Sequence, residues 1–203
     1  MAKRAFDLFW ALLGLALLSP LLLLVAAAVK LEDRGPVFFR QVRIGRGGRP
    51  FRIWKFRTMG VDAERRGLAI TVGRDPRITR VGHFLRGAKL DELPQLLNVV
   101  AGEMSLVGPR PEVPQFVGLY TEAQRAILAL RPGITDLASI KYRHESELLA
   151  QAEHPDEAYV RVIVPDKIRI NLAYAAQASL WSDFRVILAT LGLLPTPRVP
   201  GAD

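Results

Sequence analysis

Between Leu8 and Val29 the chain carries no charge for twenty-two residues (LFWALLGLALLSPLLLLVAAAV). A run of that length can reach across a bilayer as a single helix. Ser19-Pro20 stands almost at its centre. Proline removes one backbone hydrogen bond and clashes with the turn before it, so a break is expected there, with the Ser19 hydroxyl able to satisfy the freed carbonyl. Each half is then about a dozen residues, the length of a re-entrant or interfacial segment. Basic residues stand on both sides, Lys3 and Arg4 before the run and Lys30, Arg34, Arg40, Arg43 and Arg46 after it. Positive charge favours the cytoplasmic side, and a hairpin bent at Ser19-Pro20 keeps both flanks there whereas a straight span cannot. A re-entrant membrane helix is therefore expected over residues 1–30. A kinked transmembrane helix and a signal peptide cleaved near Ala26-Ala27-Ala28 are the other arrangements that the run permits.

Charge narrows the choice of partners. Lys and Arg outnumber Asp and Glu by 28 to 20 in 203 residues, a net +8, which calls for nucleic acid, an anionic membrane surface or a phosphorylated substrate. The chain has no cysteine, which excludes disulfides, thiolate catalysis and thiolate metal sites. His83, His144 and His154 are scattered without ligand spacing, so a metal, if used, should be Mg²⁺ held by carboxylates and substrate phosphates rather than zinc.

After the apolar run, PVFFRQVRI and PFRIWKFRT are rich in β-branched and aromatic residues and flank Gly45-Arg46-Gly47-Gly48-Arg49, which predicts a β-hairpin. Alternation along the second strand puts Phe51, Ile53, Lys55 and Arg57 on one face. A lysine and an arginine there suit phosphate. The glycine-rich connection itself is a turn and not a phosphate loop, since no Gly-Lys-Ser/Thr follows and it leads into a strand. Val61 to Pro76 is polar and reads as a mobile connection.

The chemistry concentrates in Lys89 to Pro111, KLDELPQLLNVVAGEMSLVGPRP. Leu93, Leu96, Leu97 and Val100 recur at helical spacing, which predicts an amphipathic helix with Asp91 at its N-cap and Pro94 in its first turn. A carboxylate there stays ionised beside the positive end of the helix, which also attracts phosphate oxygens. Asp91-Glu92 is equally ordinary helix punctuation. Arg86 lies five residues before Asp91, near enough to face the same pocket. Arg110 is held between Pro109 and Pro111, whose fixed φ lowers the entropy lost in presenting a guanidinium to phosphate.

Five blocks, in order, resemble the bacterial sugar transferases of the small monotopic phosphoglycosyl transferase family: the apolar segment with Ser19-Pro20, GPVFFRQVRIGRGGRPFRIWKFRTM, FLRGAKLDELPQLLNVVAGEMSLVGPRP, RPGIT and SLWSDFRVILATL. The resemblance runs from about Lys3 to Leu194. It implies an α+β protein (α/β in the broad sense): a re-entrant helix over 1–30, a mainly helical cytosolic catalytic domain over 31–194 with a small β-hairpin and interfacial amphipathic helices, and a proline-rich tail over 195–203. The implied reaction moves a sugar 1-phosphate from a UDP-sugar to polyprenyl phosphate and releases UMP, at the first membrane step of exopolysaccharide, O-antigen, capsule or glycoprotein glycan assembly. Asp91 and Glu92 fall on the catalytic dyad, with Asp91 as nucleophile and Mg²⁺ ligand. Lys55, Arg57, Arg86, Pro109, Arg110, Pro111, Arg131 and Arg143 fall on substrate-binding positions, Arg110 and Arg143 foremost. The implied setting is the cytoplasmic face of the bacterial inner membrane, with membrane lipids as partners, nucleic acid not among them, and a homodimer left open.

The chain departs from the family pattern after RPGIT. Asp136 stands where a second glycine is usual, Ser139-Ile140 where Gln-Val is usual, and Lys141-Tyr142 where Asn-Gly is usual, so the donor sugar is not fixed. Larger members add transmembrane helices and a further domain upstream, which makes this the minimal catalytic form. Arg169 to Leu194 reads as one long helix, interfacial or core, ended by Pro195, Pro197 and Pro200. A membrane-tethered nucleic-acid binder and a non-catalytic scaffold are the competing readings; no nucleic-acid module supports the first.

Overall fold

The computed structural model describes residues 1–61, 63, 73 and 75–198. Most of the expected mobile connection, Val61 to Pro76, lies outside them, as does the end of the tail. The uncharged run forms α1 (Ala2–Asp33), one continuous helical element of 32 residues with Pro20 inside it, where a two-helix hairpin was expected. Pro20 cannot donate to the Ala16 carbonyl, and the Ser19 hydroxyl takes its place at 2.9 Å. The most apolar eighteen-residue window of α1 is only 11% buried. A core helix of this hydropathy would be covered on most sides; this one leaves Phe9, Leu12, Leu17, Leu21, Leu23 and Leu24 exposed.

Both ends of α1 are fastened to the rest of the chain. At the start, Lys3 bridges Asp7 at 2.8 Å and Asp183 at 2.9 Å, and Arg4 donates to the Val99 and Val100 carbonyls at 2.5 and 2.9 Å. Asp7 is fully buried, accepting from the Ser105 hydroxyl at 2.9 Å and the Leu106 amide at 3.2 Å. At the other end Asp33 pairs with Arg57, and Glu32 accepts from the Val81 amide at 3.1 Å. Val25 and Val29 pack there with Phe56 and Leu85.

The hairpin forms as expected from β1 (Phe38–Ile44) and β2 (Pro50–Phe56), antiparallel with Gln41 opposite Ile53 and Arg43 opposite Phe51. Gly47 and Gly48 take φ of 69° and 75° in the turn. α2 (Arg80–Gly87) follows, capped by Thr79, and then a 3₁₀ segment, Leu90–Gln95, continued by α3 (Leu96–Ala101). Asp91 therefore lies inside the 3₁₀ turn and is not an N-cap: Lys89 adopts the left-handed conformation at φ 57° and starts the segment two residues earlier than predicted. The buried face is also shifted, to Gln95, Leu96, Asn98 and Val99, with Leu97 exposed. A 3₁₀ turn advances the side chains by a third of a circle per residue, so the α-helical spacing read from the sequence loses phase there.

β3 (Ser105–Val107) and β4 (Gly133–Thr135) form a short parallel pair. Where they continue, a β-carbon on Gly108 would sit 2.4 Å from the Arg131 carbonyl and one on Gly133 would sit 2.1 Å from the Gly108 nitrogen, so only glycine lets these chains approach. Between them run α4 (Pro114–Gly118) and α5 (Glu122–Arg125). Beyond β4 come α6 (Leu137–Lys141), α7 (Glu145–Ala150), α8 (Pro155–Ala158), α9 (Val164–Ala175) and α10 (Leu180–Thr190). The single long C-terminal helix is thus two: Ser179 ends the extended link after α9 and caps α10 reciprocally with Ser182. The central core joins Ala11 of α1, Ile53, Val99, Met104, Leu137, Ile170 and Val186. Trp10 meets Phe184 at 5.9 Å, which leaves α1 and α10 side by side with Trp181 exposed.

Candidate active site

β2 packs across the 3₁₀ segment, and the predicted face of the strand delivers Lys55 to Glu92. Its ammonium donates to Oε1 at 2.8 Å. From the other side the proline-held loop delivers Arg110, whose two terminal nitrogens reach Oε2 at 3.0 Å and Oε1 at 2.5 Å, a bidentate grip. Glu92 is thereby held well below the usual carboxylate range, Arg110 and Lys55 outweighing its burial. Lys55 is brought down to about 8, because burial costs its charge more than a carboxylate shared with Arg110 returns.

Asp91 is the contrast. It is 7% exposed, yet it makes no hydrogen bond to any described residue, and burial, joined by the charge of Glu92, raises its pKa against the pull of Lys55, Arg86 and Arg110. Arg86, the last-turn arginine of α2, donates to the Thr58 hydroxyl at 2.8 Å and acts on Asp91 as a neighbouring charge. One carboxylate is locked, and its neighbour has no hydrogen-bond partner among the described residues.

The arginine loop is pinned from behind. Gly133 donates to the Pro109 carbonyl at 3.0 Å, Arg43 to the Pro111 carbonyl at 3.0 Å and Ile44 to the Glu112 carbonyl at 2.9 Å. The Glu112 carboxylate accepts from Tyr159 at 2.5 Å and lies 4.0 Å from Arg43. Sequence reasoning missed Arg43 and Glu112. The signal existed, since period-two alternation in β1 puts Phe39, Gln41 and Arg43 on the face that carries Lys55 across the pair.

A family model described as bacterial sugar transferase matches residues 1–195 of the 203. The chain belongs to the bacterial sugar transferase family. Among curated relatives it is 38% identical over 193 residues to the UDP-glucose:undecaprenyl-phosphate glucose-1-phosphate transferase of Escherichia coli, covering 93% of this chain and 39% of that protein. It is 41% identical over 198 residues to the enzyme so named in Caulobacter vibrioides, covering 96% of this chain and 70% of that one. A third relative, the exopolysaccharide production protein PSS of Rhizobium leguminosarum, is 41% identical, with 93% and 92% covered. The chain thus spans about two fifths of the Escherichia coli relative and nearly all of the Rhizobium one.

In this bacterial sugar transferase, Lys55, Arg86 and Arg110 gather about the acidic pair, with Pro109 and Pro111 framing the last. Three other expected residues lie elsewhere. Arg57 falls just past the end of β2, where its guanidinium turns to Asp33 and to the Pro36 carbonyl at 2.6 Å and so fastens the end of α1. Arg143 is exposed in the turn after α6. Arg131 faces a groove beside the hairpin turn with Arg46 and Arg49. The departures after RPGIT have local partners: Asp136 caps α6 through Ser139, and Lys141 and Tyr142 both donate to Asp166, at 2.6 and 2.8 Å.

The donor set allows one kind of Mg²⁺ site. No group of three metal-binding side chains occurs among the described residues, and Glu92 is already spent on two cations. Of the acidic pair, only Asp91 has carboxylate oxygens without a hydrogen-bond partner among the described residues. That suits an ion carried in by substrate phosphates, which normally takes one or two carboxylates and keeps several waters.

Proposed function

We propose that this protein transfers a sugar 1-phosphate from a UDP-sugar to undecaprenyl phosphate, releasing UMP, with Asp91 as the nucleophile. The asymmetry of the acidic pair carries the reading: Glu92 is saturated by Lys55 and Arg110, whereas Asp91 beside it is buried, without a hydrogen bond among the described residues and flanked by cations. A carboxylate freed of water and of hydrogen bonds is more nucleophilic than a solvated one. The names of the relatives supply the donor and acceptor classes, and they differ in the sugar, glucose in some and N-acetylgalactosamine in another.

On this path an Asp91 oxygen attacks the β-phosphorus of the UDP-sugar, and the bond from that phosphorus to the bridging oxygen breaks. UMP leaves with the bridging oxygen. A phosphate oxygen of undecaprenyl phosphate then attacks the same phosphorus and breaks its bond to Asp91, which returns as a free carboxylate. Lys55 and Arg110, held on Glu92, and Arg86, held on Thr58, meet the charge that builds on the phosphoryl oxygens without having to reorganise. Mg²⁺, when bound, would be held by Asp91 and the diphosphate and would neutralise charge on the leaving group.

The same proposal includes topology. An α1 that carried its N-terminus across the bilayer could not keep Arg4 on Val99 and Val100, Asp7 on Ser105, and Glu32 on Val81 at once. These contacts support both ends sharing one side of the bilayer, which the basic residues flanking the run assign to the cytoplasm; the apolar middle would then dip into one leaflet and bring Asp91 to the surface where the acceptor phosphate lies. The test is to offer the purified protein UDP-glucose, UDP-galactose, UDP-N-acetylglucosamine and UDP-N-acetylgalactosamine with Mg²⁺ and undecaprenyl phosphate and to measure UMP. Release with at least one donor is expected; none with any donor refutes the proposed reaction.

A further inference from the structure

A groove of about 580 Å³ opens beside the hairpin turn, walled by Arg46, Arg49 and Phe51 on one side and by Gly102, Glu103 and Arg131 on the other. It is far from the acidic pair. Phe51 precedes Lys55 by four strand residues, so the groove lies about 14 Å down β2 from the Lys55–Glu92 contact, beyond reach of the same phosphate. The cations of the reaction cannot serve it, and it has its own.

Its charge is unbalanced. Arg46 donates through Nε to the Ala129 carbonyl at 3.0 Å, and none of Arg46, Arg49 and Arg131 enters an ion pair among the described residues. Elsewhere in the fold Arg43, Arg57, Arg77, Arg110, Arg161 and Arg169 each lie within ion-pair distance of a carboxylate. The one acid on the groove wall, Glu103, accepts from the Asn98 amide at 2.6 Å. Three guanidiniums around one carboxylate leave a concave surface with two positive charges in excess.

Its position sets the source of the anion. Gly102 ends α3, and Arg4 of α1 lies against it, 3.5 Å from where a β-carbon would stand. Arg4 is also the last charge but one before the uncharged run of α1. One wall of the groove thus stands at the level where α1 leaves the headgroup region, an argument that rests on α1 being embedded as proposed above.

We infer that this groove is a second anion site, distinct from the catalytic one, that takes the phosphodiester headgroup of an anionic membrane lipid through Arg46, Arg49 and Arg131. Occupied, it would tie the hairpin turn to the bilayer at the far end of the strand that carries Lys55. The shared chemistry is a phosphate anion, and a soluble phosphate is the rival source.

The test places the full chain in nanodiscs of phosphatidylcholine with a minority of phosphatidylglycerol and measures, by native mass spectrometry, which lipids stay bound on release. Phosphatidylglycerol should be enriched in the wild type, and each arginine replaced, in R46Q, R49Q and R131Q, should cut the enrichment about fivefold, the effect of one basic residue near an anionic surface. Enrichment that survives in the triple variant overturns the site. The thermal midpoint in phosphatidylcholine alone, with and without millimolar inorganic phosphate, separates the sources: a rise with free phosphate that the variants abolish overturns the lipid assignment. Incorporation into the discs is read in the same samples, so a chain that never enters them fails the embedding and not the groove. R49Q alone serves where the triple variant does not fold.

Discussion

Lys55 is the one cation of the site whose charge changes within an ordinary assay range, since burial brings it to about 8 while Arg110 is driven further up by Glu92. The free enzyme should therefore lose donor affinity as pH rises through about 8. The sign follows from the group: above that value the side chain is neutral, Glu92 keeps only Arg110, and the diphosphate meets one positive charge fewer. A hydrogen bond to a charged partner contributes about 1.5–3 kcal/mol, so kcat/KM for UMP release should fall roughly 10- to 150-fold across the limb. In the donor complex the diphosphate favours the protonated amine, so the limb in kcat should lie at higher pH than the limb in kcat/KM. The assay is a profile of both parameters from pH 6 to 9.5 for the wild type, Lys55→Arg and Lys55→Met. Lys55→Arg, charged throughout, should retain activity and lack the limb near 8, while Lys55→Met should be weak at every pH. Ionisations of donor and acceptor are common to all three proteins and cancel in the ratio. A limb near 8 that persists unchanged in Lys55→Arg would refute the assignment.

Other outcomes follow from the same geometry. Asp91→Asn should abolish UMP release with the thermal midpoint unchanged within a few degrees, and wild type given donor alone should gain the mass of one phosphosugar on Asp91; an Asn variant of verified mass that still turns over removes the nucleophile. Arg110→Met leaves Glu92 buried on Lys55 alone, and breaking such a pair costs about 3–5 kcal/mol, so a lower midpoint in calorimetry should accompany the loss of activity, whereas Arg110→Lys should spare more of the midpoint than of kcat. Replacing Asp7 with Ala strands the Leu106 amide, leaves the Ser105 hydroxyl with the Val107 carbonyl alone and removes one of two ion-pair partners of Lys3, at a cost of about 1–3 kcal/mol, read as earlier loss of α1 protection in hydrogen exchange. A cysteine placed near residue 2, in a chain with none of its own, should resist a membrane-impermeant thiol reagent in intact cells and become reactive when Ser19-Pro20 is replaced by Ala-Leu; labelling of the otherwise wild-type N-terminus would make α1 a span.

What the sequence made legible was whatever depends on nearest neighbours along the chain. Alternation placed Lys55 on the correct face, the prolines framed Arg110, and the serine before Pro20 identified its own acceptor. The misses have a common cause. Arg57 shares the alternation of Lys55, yet the strand ends at Phe56 and the next side chain answers to Asp33. The amphipathic stripe from Leu93 to Val100 assumed 3.6 residues per turn where the chain takes three, so both the cap and the buried face moved. Arg143 and Arg131 matched positions of a pattern, but only folding decides which of 28 basic residues meet two carboxylates. The support given by Arg43 and Glu112 is a contact between residues 68 and more apart in sequence, and nothing local announces it.

The charge of the site bears on why one small cluster can serve two successive substrates. A buried ion pair is poor support for stability, since an apolar packing of the same volume often does as well or better. The grip of Lys55 and Arg110 on Glu92 is better understood as a way to keep cations fixed and dry beside Asp91. Lys55, Arg86 and Arg110 against Asp91 and Glu92 leave one positive charge in excess. On the proposed path the donor brings a diphosphate with two negative charges, and the first transfer exchanges the Asp91 carboxylate, one negative charge, for an aspartyl phosphodiester, also one. UMP carries the remainder away, and the acceptor phosphate then meets a site with the same excess that the donor met. A nucleophile whose charge is conserved on modification thus lets a single set of fixed cations act in both half-reactions, with no rearrangement of Glu92 between them.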